Sequence, residues 1–282
     1  MSVCVSFASA ILVLAVLVGG PGSASAATPL YYLSLGDSLA DGFQPTGVFI
    51  EGYADELLTA LQATTPELQL VKLGCRRETT TTMIAGGAIC DYSGSQLDAA
   101  TAFLQANQDV VALITIDLGA DDTLVACPSL PSVAPDPQCI NNTLASIETN
   151  LPAILATLPQ TAGPDVPILG MTYYDLCLAF RLQGQGGQVC AMDTFGHFLR
   201  FNDTLERLYK TAGAPVADVE GAFSSKNFRT TGVVPGVGSI PLNVARLCEW
   251  TWMCAAPPLA PDIHANTEGY GVIAEAFLNV LP

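Results

Sequence analysis

The order of strand-like and helix-like segments constrains this fold more than any other feature of the sequence. From residue 30 onward, short apolar runs alternate with longer stretches of helical period. Parallel strands need long crossover connections, so this alternation predicts one α/β domain whose five-stranded parallel sheet is covered by helices on both faces. The predicted strands are 30–35, 68–73, 110–116, 166–172 and 215–219, and the predicted helices are 53–63, 96–106, 140–158, 195–210 and 266–278.

Three predicted loops are long and rich in Pro, Gly and Ser, namely 127–139, 184–190 and 223–241. Binding surfaces concentrate in such loops. The Gly-rich stretch 184–187 neither follows a strand nor opens a phosphate-binding helix, so it predicts a flexible loop and no nucleotide site.

Charge and histidine content exclude several classes of function. The chain has 10 Lys and Arg against 26 Asp and Glu, a net charge of −16, which disfavours a nucleic-acid partner. The two histidines, His197 and His264, are too few for a His-rich metal site, and we predict neither a metal nor another cofactor.

The N-terminal segment has the pattern of a secretory signal peptide. An apolar run of about 16 residues, 3–18, is followed by a Gly-Pro break and the small-residue sequence Ala24-Ser25-Ala26. The run is shorter than the roughly 18–20 residues of a membrane-spanning helix. We expect cleavage after Ala26, a secreted domain over 27–282 and no membrane span after cleavage. Because no Lys or Arg precedes the apolar run, an uncleaved anchor or a misplaced start codon is the alternative.

Removal of residues 1–26 leaves eight of the nine cysteines, an even number that suggests four disulfides in an exported chain. The cysteines fall into close pairs, each bracketing loop-like sequence, which favours nearest-neighbour bridges over buried free thiols. The predicted bridges are Cys75–Cys90, Cys127–Cys139, Cys177–Cys190 and Cys248–Cys254.

Candidate catalytic residues follow the predicted strands. Ligands of open parallel sheets bind outside the carboxyl ends of the strands, where this chain has Ser38 after the first strand, Gly74 after the second and Asp121 after the third. His264 immediately precedes the last predicted helix, which would return an imidazole to the same edge. A serine hydroxyl is a weak nucleophile without such a base, so Ser38 and His264 form a candidate catalytic pair.

Four sequence blocks resemble the SGNH hydrolases, also called GDSL esterases and lipases. The blocks are 34–40 (SLGDSLA), 73–75 followed by 78–80 (LGC and ETT), 116–122 (IDLGADD) and 262–266 (DIHAN). The resemblance covers essentially the whole chain after residue 26 and is strongest to secreted, disulfide-bearing lipases and esterases of actinobacterial type. It implies a three-layer flavodoxin-like fold, Ser38 as nucleophile, His264 as base, and an oxyanion hole made by the Ser38 and Gly74 amides and an asparagine side chain. The ordinary α/β-hydrolase pattern fits less well, because its G-x-S-x-G motif would need Gly where Ala40 stands.

Two positions depart from that family's pattern. Asp121 replaces the asparagine, and an ionised carboxylate accepts hydrogen bonds where the oxyanion hole needs a donor. We expect neighbouring carboxylates, Asp122 and Asp117, to hold Asp121 protonated. The family's D-x-x-H spacing is also absent, so either Asp262, two residues before the histidine, or the carbonyl of Pro261 orients His264.

Other residues with catalytic side chains receive structural interpretations. We expect His197, among phenylalanines, to pack on the sheet, Asp37 to cap a turn, and Asp218 and Glu220 to anchor a loop. The aromatic cluster Trp250, Trp252 and Met253 has two readings, an acyl pocket near His264 or ordinary packing.

Together these features predict a secreted serine ester hydrolase, a monomer that forms an acyl-enzyme with carboxylic or lipid esters. The alternative is a binding or cell-surface protein that keeps the fold but has lost catalytic power because Asp121 replaces the asparagine.

Overall fold

A five-stranded parallel sheet forms the centre of the computed structural model, which describes residues 29–47, 51–90, 92–128, 136–259 and 261–282. The predicted signal peptide therefore lies outside the described residues, as does part of the loop 127–139. The strand order is β2-β1-β3-β4-β5, which is the order of the flavodoxin-like fold that the family resemblance implies. The strands are β1 (Leu30–Gly36), β2 (Leu68–Lys72), β3 (Val111–Asp117), β4 (Ile168–Met171) and β5 (Val216–Ala217).

Ten helices surround the sheet in the described part of the chain. They are α1 (Ser38–Asp41), α2 (Tyr53–Gln62), α3 (Thr80–Ala85), α4 (Gln96–Ala106), α5 (Ala120–Ala126), α6 (Pro137–Ala162), α7 (Gly184–Thr211), α8 (Val219–Ala222), α9 (Leu242–Trp250) and α10 (Thr267–Leu278). Helix α2 packs against α10, whereas α4, α6 and α7 pack side by side, so the molecule has three layers. Short 3₁₀ turns occupy Leu176–Leu182 and Trp252–Cys254.

The two faces of the sheet are both covered, which explains the continuous apolar runs in its strands. In β1, Tyr32, Leu33 and Leu35 are all fully buried. The register of β1 against β3 places Gly36 beside Asp117, so both strands end at the same edge. The predicted five-stranded parallel fold is confirmed.

The predicted flexible loop at 184–190 is wrong, because helix α7 begins at Gly184. A Cβ at Gly187 would lie 2.0 Å from the carbonyl oxygen of Phe180 in the preceding 3₁₀ turn. The absence of a side chain at Gly187 therefore lets α7 pack closely on the 3₁₀ turn. The glycine that suggested a flexible loop has a packing role instead. The loop 223–241 also contains a hairpin that was not predicted, β6 (Thr231–Val234) paired with β7 (Gly238–Pro241).

Three of the four predicted disulfides are present, and the fourth is not. The bonds join Cys75 to Cys90, Cys127 to Cys139 and Cys248 to Cys254. No disulfide joins Cys177 to Cys190, so that predicted bridge is wrong. Cys177 lies in the 3₁₀ turn as a buried core residue, its thiol hydrogen-bonded to Thr194, and burial raises the thiol pKa. Closeness in sequence could not show that this cysteine serves as a small core side chain.

None of the helices in the described residues is both long enough and apolar enough to cross a membrane.

Candidate active site

Ser38 begins helix α1 directly after strand β1 ends. A Cβ at Gly36, whose φ is 131°, would lie 1.9 Å from the carbonyl oxygen of Asp117, so only glycine allows β1 to end this close to β3. The Asp37 side chain caps the helix by accepting a hydrogen bond from the Leu39 amide at 2.9 Å. These two contacts fix Ser38 at the carboxyl edge of the sheet.

His264 reaches the same edge from a segment held by three backbone contacts. The Trp252 amide donates to the His264 carbonyl at 3.0 Å, and Thr251 forms an antiparallel bridge with Ala265. The Tyr174 hydroxyl donates to the carbonyl of Ile263 at 2.7 Å. The ring is thereby placed with Nε2 2.8 Å from the Oγ of Ser38.

Asp262 completes a hydrogen-bonded chain with these two residues. Its Oδ1 lies 2.7 Å from Nδ1 of His264 and 3.0 Å from the His264 amide. Although partial burial opposes ionisation, the hydrogen bonds from the ring and amide of His264 lower the pKa of Asp262. An ionised Asp262 accepts a hydrogen bond from the N–H of Nδ1, which leaves Nε2 as an acceptor facing the serine hydroxyl. Of the two predicted orienting groups, the carboxylate of Asp262 makes this contact.

Gly74 lies against the helix that carries Ser38. A Cβ at this position would lie 2.5 Å from the Cβ of Ala40, so a side chain would push β2 away from α1. The flanking amides of Leu73 and Cys75 donate to carbonyls of β1. Within the described residues the amides of Ser38 and Gly74 have no hydrogen-bond acceptor. Two unused donors therefore stand near the serine.

Asp121 lies in the first turn of α5 and lines the same cavity as Ser38 and His264. Burial and the charge of Asp37 raise its pKa to about 7, against the opposing effects of His264 and the Arg77 amide. Asp122 adds only a small increase, because its carboxylate turns away to accept hydrogen bonds from the amide and hydroxyl of Thr80 at 2.7 and 2.5 Å. Of the two neighbours expected to hold Asp121 protonated, Asp122 contributes this small increase, whereas burial and Asp37 act most strongly.

A second pair of carboxyl groups lies immediately behind Ser38. Asp37 and Asp117 are buried, and they accept hydrogen bonds from the Tyr173 and Tyr53 hydroxyls at 2.8 and 2.7 Å. Burial, followed by the charge of Asp117, raises the pKa of Asp37 well above its usual range, and burial raises that of Asp117 to about 7. The Oδ2 of Asp117 otherwise lacks a hydrogen-bond partner. A hydrogen bond between the two carboxyl groups supplies that partner, and the proton they share leaves one negative charge on the pair. Asp37 is also a helix cap, as predicted.

The other predicted residues divide between the site and the core. His197 is half-buried and lines the cavity that contains Ser38, so the prediction that it packs on the sheet is wrong. Trp250 packs edge-on against Phe223, and Met253 is buried in the core, which favours the packing interpretation of that cluster. Glu220 pairs with Lys226 at 2.8 Å, consistent with a loop anchor.

Tyr173 and Tyr174 support the site but were missed in the sequence. They follow β4 just as Ser38 follows β1, so the strand-end rule that selected Ser38 could have found them. In the described residues no group of three or more His, Cys, Asp or Glu side chains could hold a metal ion.

This fold and this site define a three-layer α/β protein with the Ser-His-Asp arrangement of serine hydrolases. The chain belongs to the GDSL-like Lipase/Acylhydrolase family, which matches residues 32–277. No curated protein matches the sequence.

Several solved structures share the fold at low sequence identity. An extracellular lipase from Streptomyces rimosus is 15% identical with a TM-score of 0.57, covering 89% of this chain and all of its own. A phospholipase A1 from Streptomyces albidoflavus NA297 is 13% identical with a TM-score of 0.54, covering 90% of this chain and 100% of its own. An acetyl-xylooligosaccharide esterase from Geobacillus is 15% identical with a TM-score of 0.52, covering 89% of this chain and 93% of its own.

Proposed function

We propose that this member of the family is a catalytically competent carboxylic ester hydrolase that works through an acyl-enzyme. The observation that carries the proposal is the 2.8 Å contact between Nε2 of His264 and Oγ of Ser38, with Asp262 on the opposite ring nitrogen. A serine hydroxyl becomes an effective nucleophile when a neutral imidazole can accept its proton, and a carboxylate on Nδ1 stabilises the imidazolium that results.

The reaction proceeds in two halves. Oγ of Ser38 bonds to the ester carbonyl carbon while its proton passes to Nε2 of His264, and the C–O bond to the alcohol then breaks as His264 returns the proton to the leaving oxygen. Water attacks the acyl-enzyme in the same way, giving the carboxylic acid and the free serine. The Ser38 and Gly74 amides donate to the oxyanion in both halves.

Asp121 supplies the third oxyanion donor when it is protonated. Its pKa of about 7 gives a substantial neutral fraction at and below neutral pH, and a neutral carboxyl group can donate one hydrogen bond. The rival function, a non-catalytic binding or cell-surface protein, applies if Asp121 stays ionised, because a carboxylate would repel the oxyanion.

The finer assignment within the family is to secreted, disulfide-bearing lipases and esterases of actinobacterial type. Three disulfides support an oxidising compartment, and the apolar segment followed by Ala24-Ser25-Ala26 supports export. Edman sequencing of protein recovered from the culture medium of a secreting host should begin at Ala27. Protein that keeps residues 1–26 and stays in the membrane fraction would contradict secretion.

Covalent labelling and turnover together test the proposed function. A fluorophosphonate probe reacts with activated serines, so we expect labelling of the native protein at Ser38 and hydrolysis of p-nitrophenyl acetate. Ser38→Ala should lose both, whereas Ser146→Ala, which removes an exposed hydroxyl on α6, should keep both. A folded native protein that neither reacts with the probe nor hydrolyses the ester would favour the binding protein instead.

A further inference from the structure

A largely apolar cavity leads away from the Ser38 hydroxyl. Its volume is about 110 Å³. Ser38 and His264 lie on its wall together with side chains from three helices. The apolar contributors from those helices are Leu124 of α5, Ile140 and Leu144 of α6, and Phe198 and Phe201 of α7.

One wall of the cavity belongs to a hydrophobic cluster that is separate from the main core. Ile140 and Leu144 are 4% and 7% exposed, and they pack with Cys127 and with Phe201. The disulfide Cys127–Cys139 joins the end of α5 to the first turn of α6 beside them. The bridge therefore holds two helices of the wall together, which suits a preformed site.

The charged groups around the cavity indicate whether its ligand is charged or uncharged. No Lys or Arg is among the described residues that line it, so no permanently charged cation there would pair with a phosphate or carboxylate. The carboxyl groups of Asp121 and Asp175 face it, and burial raises the pKa of each to about 7. An uncharged hydrocarbon chain fits these surroundings better than an anion.

We propose that this cavity binds the acyl chain of the ester, and that Leu144 limits the chain length. The inference rests on the proposed function, because the acyl carbon must bond to Ser38 for the chain to enter here. It commits the enzyme to esters whose acyl chains carry several methylene groups, in preference to acetyl esters. Each additional buried methylene should raise kcat/KM about fourfold until the cavity is full.

The test measures kcat/KM on p-nitrophenyl acetate, butanoate, hexanoate and octanoate. From acetate to butanoate, two methylenes should give a rise of roughly 15-fold. Leu144→Trp places a larger side chain in the cavity, so it should lower the octanoate-to-acetate ratio at least tenfold. Ala145→Trp is the matched control, because Ala145 is exposed on the same helix, and its ratio should equal that of the native protein.

A third variant keeps the test decisive if Leu144→Trp does not fold. Phe201→Ala enlarges the same cavity from α7 and should move the preferred acyl chain toward greater length. Circular dichroism and the thermal midpoint show which variants are folded.

The outcomes separate the two proposals. Acetate hydrolysis with no rise toward longer chains would overturn the acyl-chain site and leave the proposed function standing. An unchanged chain-length profile in a folded Leu144→Trp or Phe201→Ala protein would do the same. If no ester of any length is hydrolysed, the proposed function fails and this inference fails with it.

Discussion

The carboxyl groups of two neighbouring regions of this protein differ in protonation, because one region holds an ionised carboxylate and the other a pair of carboxyl groups that share a proton. The rim, which we define as Ser38, Asp262 and His264, is partly open to solvent, with His264 and Asp262 side chains 14% and 23% exposed. The floor, defined as Asp37, Asp117, Tyr53 and Tyr173, lies behind it and is buried. Partial burial opposes ionisation at Asp262, yet hydrogen bonds from His264 lower its pKa, whereas burial raises the pKa of Asp37 and Asp117.

The difference follows from the donors that each carboxyl group receives. Asp262 accepts two N–H groups of His264, one of which can carry positive charge. Asp37 and Asp117 receive mainly neutral hydroxyl and amide donors and lie beside one another, so one proton between them costs less than two charges. Sequence neighbours such as Asp37 and Ser38 can therefore have unrelated roles.

The largest expected effect is at the rim. Asp262→Asn removes the charge that holds the Nδ1 proton and stabilises imidazolium, and we expect kcat to fall about 10³- to 10⁴-fold with little change in the thermal midpoint. Asp165→Asn is the control, since Asp165 is exposed and precedes β4 at the opposite edge of the sheet. A loss of less than tenfold for Asp262→Asn would mean that another group, such as the Pro261 carbonyl, orients the ring.

A smaller effect on activity is expected at Asp121. Its pKa is raised to about 7, like that of Asp117 in the floor, although Asp121 faces the rim. With a pKa of about 7, its neutral fraction decreases as pH rises, so the activity of Asp121→Asn relative to the native protein should increase about 30-fold from pH 6 to pH 8.5. The measurement is kcat/KM for p-nitrophenyl butanoate across that range. A ratio that does not change with pH would show that Asp121 is no oxyanion donor.

The smallest expected effect is on the pH dependence of stability. Protonation of the floor and ionisation of the rim change stability in opposite directions as pH rises. Because the folded pKa of Asp117 is raised to about 7, the folded state retains a proton that the unfolded chain releases near pH 4, and stability decreases as pH rises between these values. Asp262, whose pKa is lowered, contributes stability that is lost as pH falls through its folded pKa.

Asp117→Asn tests whether the raised pKa of Asp117 makes the protein less stable as pH rises. It should reduce the stability lost between pH 4.5 and 7.5 by on the order of 1–2 kcal/mol, measured by urea unfolding at several pH values. Asp165→Asn again provides the comparison and should follow the native curve. An identical decline in the Asp117→Asn protein would assign the pH dependence to other buried carboxyl groups.

The sequence predicted the sheet and the rim but not the floor. Strand and helix periodicity is local, and the strand-end rule converts it into a shared edge for Ser38, Gly74 and Asp121. The start of the last helix returns His264 to that edge. The shared proton of Asp37 and Asp117 depends on burial and on the distances between side chains from different strands, which no sequence pattern contains.

The same limit explains the remaining errors. The close contact of Gly187 in α7 with Phe180 and the absent Cys177–Cys190 bridge both depend on how the 3₁₀ turn and α7 pack together. His197 reached the cavity because α7 packs beside α6, which periodicity alone could not show. Packing between elements decided each of these cases.

Ser38 and His264 contact one another across 226 positions of the chain. During synthesis the proposed nucleophile is therefore made long before the proposed base. The proposed activity requires the chain through residue 264, so a stop codon before that position would leave Ser38 without its base.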